Sequence, residues 1–119
     1  MLTKFAVIAV WAQDVTESAH FYRDVLGLEM LPAHDARPHF KVDGIYFLIL
    51  QGRPIQAEEM EPERFPLFAL SVDDLDEMVR RLAAHGVETP WGVEQNASER
   101  WVMFRDPAGN LIELVQWGA

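Results

Sequence analysis

The sequence contains no cysteine among its 119 residues. This absence excludes disulfide bonds, thiolate metal sites, iron–sulfur clusters and cysteine nucleophiles. No apolar run approaches the roughly 20 residues that a membrane-spanning helix needs. The N-terminus has no basic region followed by a small-residue cleavage site, so no signal peptide is predicted. These absences predict a cytoplasmic protein without a membrane segment.

Basic residues are few, since ten Lys and Arg stand against 19 Asp and Glu, which gives a formal net charge of −9 at pH 7. A charge this negative disfavours binding to nucleic acid or to an anionic membrane surface. Half of the residues are hydrophobic, which supplies the core of one domain of this length. We therefore expect a single domain over residues 1–119, with neither nucleic acid nor membrane as a partner.

The first half of the chain predicts a strand, a helix that Asp14 caps and Gly27 ends, and three further strands. The predicted strands are Phe5–Ala12, Glu29–Leu31, His39–Val42 and Ile45–Leu50, with a hairpin turn at Asp43-Gly44.

The second half repeats this order. Asp74 and Glu77 have the capping-box spacing of Asp14 and Glu17, 60 residues later. Gly86 ends the second helix, and the predicted strands are Phe65–Val72, Val87–Glu88, Trp101–Arg105 and Leu111–Trp117. The repeat predicts module one at 1–51, an exposed linker at 52–64 and module two at 65–119. An ordinary α+β domain with accidental internal similarity is the alternative.

Three segments resemble the vicinal oxygen chelate superfamily, which includes glyoxalase I, extradiol dioxygenases and bleomycin resistance proteins. They are the first-helix segment Phe21–Leu28, the second-helix start Val72–Asp76 and the strand-turn-strand segment Phe104–Leu114. The resemblance implies an α+β fold in which two βαβββ modules form a curved mixed-sheet cup with the helices outside. It also implies a homodimer whose cup holds a small organic ligand or substrate.

Metal-dependent members of this family place four ligands, usually His, Glu or Gln, on the first and last strands of both modules. The corresponding positions in this sequence are Val7, Leu48, Leu67 and Glu113. Because a lone carboxylate does not make a useful transition-metal site, we predict no metal cofactor. A divalent metal held by other residues, such as His34 and His39 with Glu113, is the disfavoured alternative.

Strand alternation predicts an apolar and aromatic cup around Glu113. Glu113 is the candidate catalytic residue, as a metal-free base, and a candidate anchor for a cationic ligand. Desolvation there raises its pKa unless a cation pairs with it. Alternatively, it is the remnant of a metal site, satisfied by Arg100, a tyrosine hydroxyl or water. The predicted ligand-binding residues are Val7, Trp11, Tyr46, Leu48, Leu67, Trp91, Arg100, Trp101, Glu113 and Trp117.

Trp91 is favoured among the tryptophans, because the loop Thr89–Arg100 is expected over the mouth of the cup. For each tryptophan, core filling and dimer contact are alternatives to stacking on a ligand. Arg100 is either a grip for a carboxylate ligand or a salt-bridge residue.

The missing metal ligands, the apolar cup and the negative charge favour a metal-free binding protein of the bleomycin resistance type. Its expected ligand is an aromatic or cationic organic molecule. The first alternative is a lyase, isomerase or dioxygenase that uses Glu113 with a non-standard or absent metal. The second is a dimeric scaffold whose cup is filled by its own side chains.

Overall fold

The computed structural model describes residues 5–32, 38–54 and 66–118. The chain divides into two compact units, Met1–Pro54 and Ile55–Ala119. Most of the predicted linker 52–64 and the candidate ligand His34 lie outside the described residues. Within the described part of the chain, no helix has the length and apolar character that crossing a membrane requires.

Unit one contains a four-stranded mixed sheet, here called sheet A. Its strands are β1 (Val7–Ala12), β2 (Met30–Leu31), β3 (His39–Val42) and β4 (Ile45–Gln51), in the spatial order β1-β4-β3-β2. Strand β1 runs parallel to β4, and the other pairs are antiparallel. The predicted hairpin turn is confirmed, because Asp43 and Gly44 both have positive φ, 50° and 77°, as a type I′ turn requires.

The helix of unit one begins where its capping box predicts. The Asp14 carboxylate accepts a hydrogen bond from the Glu17 amide at 3.0 Å, and α1 follows over Val15–His20. The chain then continues as a π-helical turn over Phe21–Val25, which the sequence pattern does not indicate. Tyr22 in this turn is fully buried, and its ring centroid lies 4.7 Å from that of Phe47. The turn thus anchors the helix to β4.

Unit two repeats the order of unit one in a second sheet, here called sheet B. Its elements are β5 (Ala69–Ser71), α2 (Leu75–Ala84), β6 (Val93–Gln95), β7 (Glu99–Arg105) and β8 (Leu111–Trp117). The spatial order is β5-β8-β7-β6, with β5 parallel to β8. Asp74 caps α2 by accepting from the Glu77 amide at 3.1 Å, as predicted. The Gln116 side chain on β8 accepts from the Leu75 amide at 2.8 Å and ties the start of α2 to the sheet.

One strand is wrongly predicted. The sequence places a strand at Val87–Glu88, but the Val87 amide donates to the Leu82 carbonyl at 2.9 Å and so belongs to the turn that ends α2. The strand at this point of the repeat is instead β6, which lies inside the segment that the sequence assigns to a loop, Thr89–Arg100.

The β7–β8 hairpin is closed by a buried polar turn. Asp106 Oδ1 accepts from the Ala108 and Asn110 amides at 3.0 and 2.9 Å, and Oδ2 accepts from the Asn110 side chain at 2.9 Å. Both residues are only 4% exposed. Three hydrogen bonds within the turn therefore hold the Asp106 carboxylate and help to fix the register of β8 against β7.

Candidate functional site

Sheet A has one face whose side chains are partly or fully exposed, here called the open face. Val7 on β1 pairs with Tyr46 on β4, and Trp11 pairs with Leu50. Val7, Trp11 and Tyr46 are 48%, 51% and 46% exposed, whereas the alternate residues of both strands are largely buried. Leu48 shares this face by strand alternation, so the structure brings together four of the predicted ligand-binding residues: Val7, Trp11, Tyr46 and Leu48.

Two basic side chains border these apolar residues on β3. His39 pairs with Leu48, and its ring lies edge-on to that of Tyr46 with centroids 6.5 Å apart. Lys41 pairs with Tyr46 and is exposed. The open face of sheet A is therefore apolar and aromatic with a basic margin.

The face of sheet B that carries Glu113, here called the Glu113 face, has a different composition. Glu113 on β8 lies between Ala69 on β5 and Met103 on β7. Leu67 lies in a bend before β5, is 55% exposed, and donates its amide to the Leu111 carbonyl at 2.8 Å. Because Leu67 lies outside the regular part of β5, its place on the Glu113 face stays a prediction.

Two tryptophans and two further carboxylates share the Glu113 face. Trp101 lies between Val115 on β8 and Glu94 on β6, in register with both. Trp117, at the end of β8, is 63% exposed and pairs with Glu99. By strand alternation these side chains point to the same side of sheet B as Glu113.

The electrostatic surroundings of Glu113 disfavour its charged form. Burial is the largest cause and raises the pKa of the carboxyl, as the sequence predicts for this position. The negative charges of Glu99 and Glu94 raise the same pKa further. A positive charge placed beside this carboxylate would oppose these influences and lower the pKa of Glu113.

Glu94 and Glu99 are residues of the Glu113 face that the sequence does not predict. Both lie in the segment that the sequence pattern assigns to a loop, where strand alternation gives no face. Extending the strand pattern back from Trp101 to Glu99 is the signal that would have found Glu99, because two-residue steps along a strand keep one face.

Arg100 lies on the opposite face of sheet B. Its guanidinium donates to the Asp76 carboxylate on α2 at 2.9 Å, and the pair lowers the pKa of Asp76 through that hydrogen bond and the attraction between the charges. Arg100 therefore pairs with Asp76 rather than with Glu113, which is the salt-bridge alternative that the sequence left open. Its guanidinium is therefore engaged with α2, on the side of sheet B that faces away from Glu113.

Trp91 occupies the turn that precedes β6 and is 39% exposed. The reason for favouring it as a ligand contact is wrong, because β6 and the start of β7 replace the expected loop Thr89–Arg100. Its role as a ligand contact stays a prediction.

The residues at the four metal-ligand positions do not fit a divalent metal. Val7 and Leu48 on sheet A and Leu67 beside β5 carry aliphatic side chains, so Glu113 is the one oxygen donor of the set. Within residues 5–32, 38–54 and 66–118, no group of three His, Asp or Glu side chains is placed to hold a metal ion. The side chains at these four positions therefore offer a single ligand to a metal.

Comparison with solved structures supports the fold assignment. The chain superimposes on lactoylglutathione lyase from Agrobacterium tumefaciens with a TM-score of 0.73, at 25% identity, covering 97% of this chain and 94% of that one. It superimposes on TnmS3, an antibiotic binding protein from Streptomyces sp. CB03234, with a TM-score of 0.79, at 24% identity, covering 98% and 97%. The predicted α+β fold of two βαβββ modules is confirmed.

Sequence comparison identifies the family. The uncharacterized protein YaeR from Escherichia coli (strain K12) is 34% identical in an alignment that covers 92% of each chain. Residues 4–114 match the family model described as Glyoxalase/Bleomycin resistance protein/Dioxygenase superfamily. With both modules built on the same strand order and nearly the whole chain matched, this protein belongs to the Glyoxalase/Bleomycin resistance protein/Dioxygenase superfamily.

Proposed function

We propose that the protein binds a small organic cation that carries an aromatic group, and that it does so at the Glu113 face without a metal. The observation that carries this proposal is the setting of Glu113, where burial and two neighbouring carboxylates all raise the pKa of a partly buried carboxyl. A bound cation stabilises the charged carboxylate and offsets the repulsion among the three acids. The face therefore favours cations over anions of the same shape.

The two tryptophans of this face support an aromatic ligand. Trp101 is partly buried in the middle of β7, and Trp117 is largely exposed at the end of β8. A cation held over an indole gains about 0.5–1 kcal/mol at an exposed site and about 2 kcal/mol when desolvated. Offset stacking of a planar ring on tryptophan adds a comparable amount. Carboxylate and indole together favour a ligand that is both cationic and planar.

The net charge of −9 supports the same ligand class. A strongly negative protein attracts cations over distances up to about the Debye length, roughly 8 Å at physiological ionic strength. We accordingly expect the ligand to bind more weakly as salt is added.

Family membership by itself does not choose between binding and catalysis. The similar structures include one named for a lyase activity and one named for antibiotic binding, so the same architecture serves both kinds of protein. The choice between binding and catalysis depends on the side chains at the predicted metal-ligand positions. Those of Val7, Leu48 and Leu67 favour binding, since they offer neither acid-base groups nor metal donors.

The test compares two isosteric probes by isothermal titration calorimetry at low salt: N-methylquinolinium, a planar cation, and 1-methylnaphthalene, its neutral counterpart. We expect the cation to bind more tightly than the neutral probe, and Glu113→Gln to remove most of the difference. The matched control is Glu29→Gln, which removes one negative charge from an exposed residue of unit one. Equal affinity for both probes, or an E113Q variant that still prefers the cation, would contradict the proposal.

The Glu113 carboxyl also favours a second function, the abstraction of a proton from a bound substrate. A raised carboxyl pKa on a partly buried face is typical of a general base, so Glu113 is the candidate for abstracting a proton from a bound substrate. In this function a carbon-bound proton of the ligand exchanges with solvent deuterium, which proton NMR detects. Exchange that persists in the Glu113→Gln variant would exclude Glu113 as that base.

The open face of sheet A is proposed as a second surface, one that takes an uncharged aromatic group. Trp11 and Tyr46 supply its rings, and no acidic side chain lies among its described strand residues. Trp11→Ala is expected to weaken binding of 1-methylnaphthalene more than Glu113→Gln does. The reverse order would contradict this assignment.

We also propose that the protein is a cytoplasmic homodimer. Large apolar side chains are exposed in both units, including Phe5 at 75% and Trp117 at 63%. Exposed apolar groups of this size are typical of surfaces that contact another molecule. Sedimentation equilibrium is expected to give twice the mass of 13.6 kDa, and a mass of one chain across the concentration range would contradict the dimer.

A further inference from the structure

Gly52 lies directly under the indole of Trp11. It follows β4, and its amide donates to the Ala12 carbonyl at 3.0 Å, which extends the β1–β4 ladder by one step. A Cβ built on Gly52 would overlap Cε3 of Trp11 and lie 3.0 and 3.2 Å from Cζ3 and Cδ2. The benzene ring of the indole therefore occupies the volume that a side chain at position 52 would take.

The backbone at Gly52 does not itself require glycine. Its φ is not among the positive values, whereas Gly27 and Gly44 both have a φ of 77°. Residues other than glycine adopt such a backbone without strain. The requirement for glycine at position 52 is thus a requirement for space, and the group that uses the space is Trp11.

The position of Gly52 on the sheet explains why its effect falls on Trp11. Strand alternation carries the open face of sheet A along β4 from Leu48 to Leu50, and the next residue on that side is Gly52. Trp11 pairs with Leu50 on β4. Its indole extends diagonally past Leu50 and lies over Gly52, which has no side chain. It stays 51% exposed there, with part of its ring surface available to a ligand.

We propose that Gly52 is a positioning residue that lets the Trp11 indole lean over the end of β4 and present its ring to a planar aromatic group on the open face of sheet A. This inference rests on the proposed function, because it takes Trp11 as a contact of an aromatic ligand. A side chain at position 52 forces the indole into another rotamer, away from the end of β4. The size of residue 52 therefore sets which aromatic shapes the open face accepts.

The direct test observes the four tryptophans separately by ¹⁹F NMR of protein labelled with 5-fluorotryptophan. Single Trp→Phe variants assign the resonances. We expect Gly52→Ala to shift the Trp11 resonance and to leave those of Trp91, Trp101 and Trp117 in unit two unchanged. A Trp11 resonance that does not move in G52A would overturn the proposal, and movement of all four would indicate a general structural change, which overturns it as well.

A stability cycle tests the same contact without any ligand. With Trp11 present, Gly52→Ala is expected to lower the melting temperature, because the methyl group meets the indole. In a Trp11→Ala background the same substitution is expected to raise it, because alanine at a compatible backbone reduces the entropy of the unfolded chain. The same sign in both backgrounds would show that Trp11 is not what excludes a side chain at position 52.

The binding test uses 1-methylnaphthalene as the probe. We expect Gly52→Ala and Trp11→Ala each to weaken its binding by roughly fivefold, the loss of about one aromatic contact, and the double variant to lose no more than either alone. Independent losses that multiply in the double variant would overturn the positioning role. If the wild-type protein binds neither methylnaphthalene nor methylquinolinium, the proposed function fails, while the ¹⁹F shift and the stability cycle still decide whether Gly52 positions Trp11.

Discussion

The two units share their topology and differ in the chemistry of one sheet face. Each places a parallel pair beside an antiparallel hairpin, and each begins its helix with an aspartate that accepts from the amide three residues on. The open face of sheet A carries His39 and Lys41 beside apolar side chains, whereas the Glu113 face of sheet B carries three carboxylates. The repeated backbone therefore determines where side chains point, while the identity of the alternate residues on each strand determines the chemistry of each face.

The two hairpin turns are expected to differ most, in how much a substitution lowers the free energy of unfolding. Asp106→Ala is expected to lower the free energy of unfolding by roughly 2–4 kcal/mol, because it removes three hydrogen bonds to a charged group in a buried turn. In unit one, Asp43→Gly is expected to change stability by less than about 0.5 kcal/mol, since Asp43 is exposed and glycine suits its positive φ. Urea unfolding measures both, and equal losses would show that the turns do not differ in this way.

The pH dependence of ligand binding is the next effect in size, and it concerns the Glu113 face alone. Because the pKa of Glu113 is raised, its carboxyl gains a proton at higher pH than an ordinary glutamate does, and only the charged form attracts a cation. Affinity for N-methylquinolinium is therefore expected to rise as the pH rises through that pKa and to level off above it. Titration calorimetry across pH 4–8 checks this, with E113Q as the variant expected to show no such rise.

The helix caps are expected to contribute similar but unequal amounts of stability in the two units. Asp14→Ala and Asp74→Ala each remove one side-chain acceptor from a helix start and are expected to lower the free energy of unfolding by about 1 kcal/mol. In unit two, Gln116 still accepts from the Leu75 amide after the change, so the loss there is expected to be the smaller one. Thermal or urea unfolding ranks them, and a larger loss for Asp74→Ala would refute the contribution of Gln116.

A smaller effect concerns the stability of the unliganded protein. A carboxyl with a raised pKa binds more protons in the folded than in the unfolded state between its two pKa values, so the free energy of unfolding falls as pH rises through that range. Glu113→Gln is expected to raise stability modestly above the raised pKa and to leave it unchanged at acidic pH, where the wild-type carboxyl is protonated in both states. Denaturation at several pH values tests the sign.

The smallest expected effect is on the other face of sheet B. Arg100→Met removes the exposed ion pair with Asp76, and pairs of this kind contribute little to stability. Neither the unfolding midpoint nor the affinity for methylquinolinium is expected to change appreciably. A clear loss of affinity would place Arg100 among the ligand contacts after all.

Local signals in the sequence predicted most of the fold. Asp14 and Asp74 mark the helix starts, Asp43-Gly44 marks a turn, an apolar run marks β4, and mostly apolar residues mark β8. The strand β6 escaped prediction because only one of its three residues, Val93, is apolar. Its formation depends on pairing with β7, which is a tertiary effect that local propensity does not reveal.

The site was less predictable, for a reason visible at Arg100. The sequence pattern started the seventh strand at Trp101, which left Arg100 and Glu99 without an assigned face. In the structure β7 begins at Glu99, so Glu99 and Trp101 share the Glu113 face while Arg100 points the other way. Because the predicted strand boundary is wrong by two residues, the sequence pattern places neither Glu99 on the Glu113 face nor Arg100 beside Asp76. Which face of a strand is covered by a helix depends on packing that strand alternation does not reveal.

The position of β8 within sheet B affects how easily its backbone hydrogen bonds open to solvent. Strand β8 has ladder partners on both sides, β5 and β7, and Gln116 also ties it to the start of α2. Segments held on several sides are the last to exchange their amide hydrogens with solvent, because they open only when their neighbours do. We therefore expect Glu113 to lie on a slowly exchanging segment of its unit, and the shorter edge strands β5 and β6 to exchange sooner.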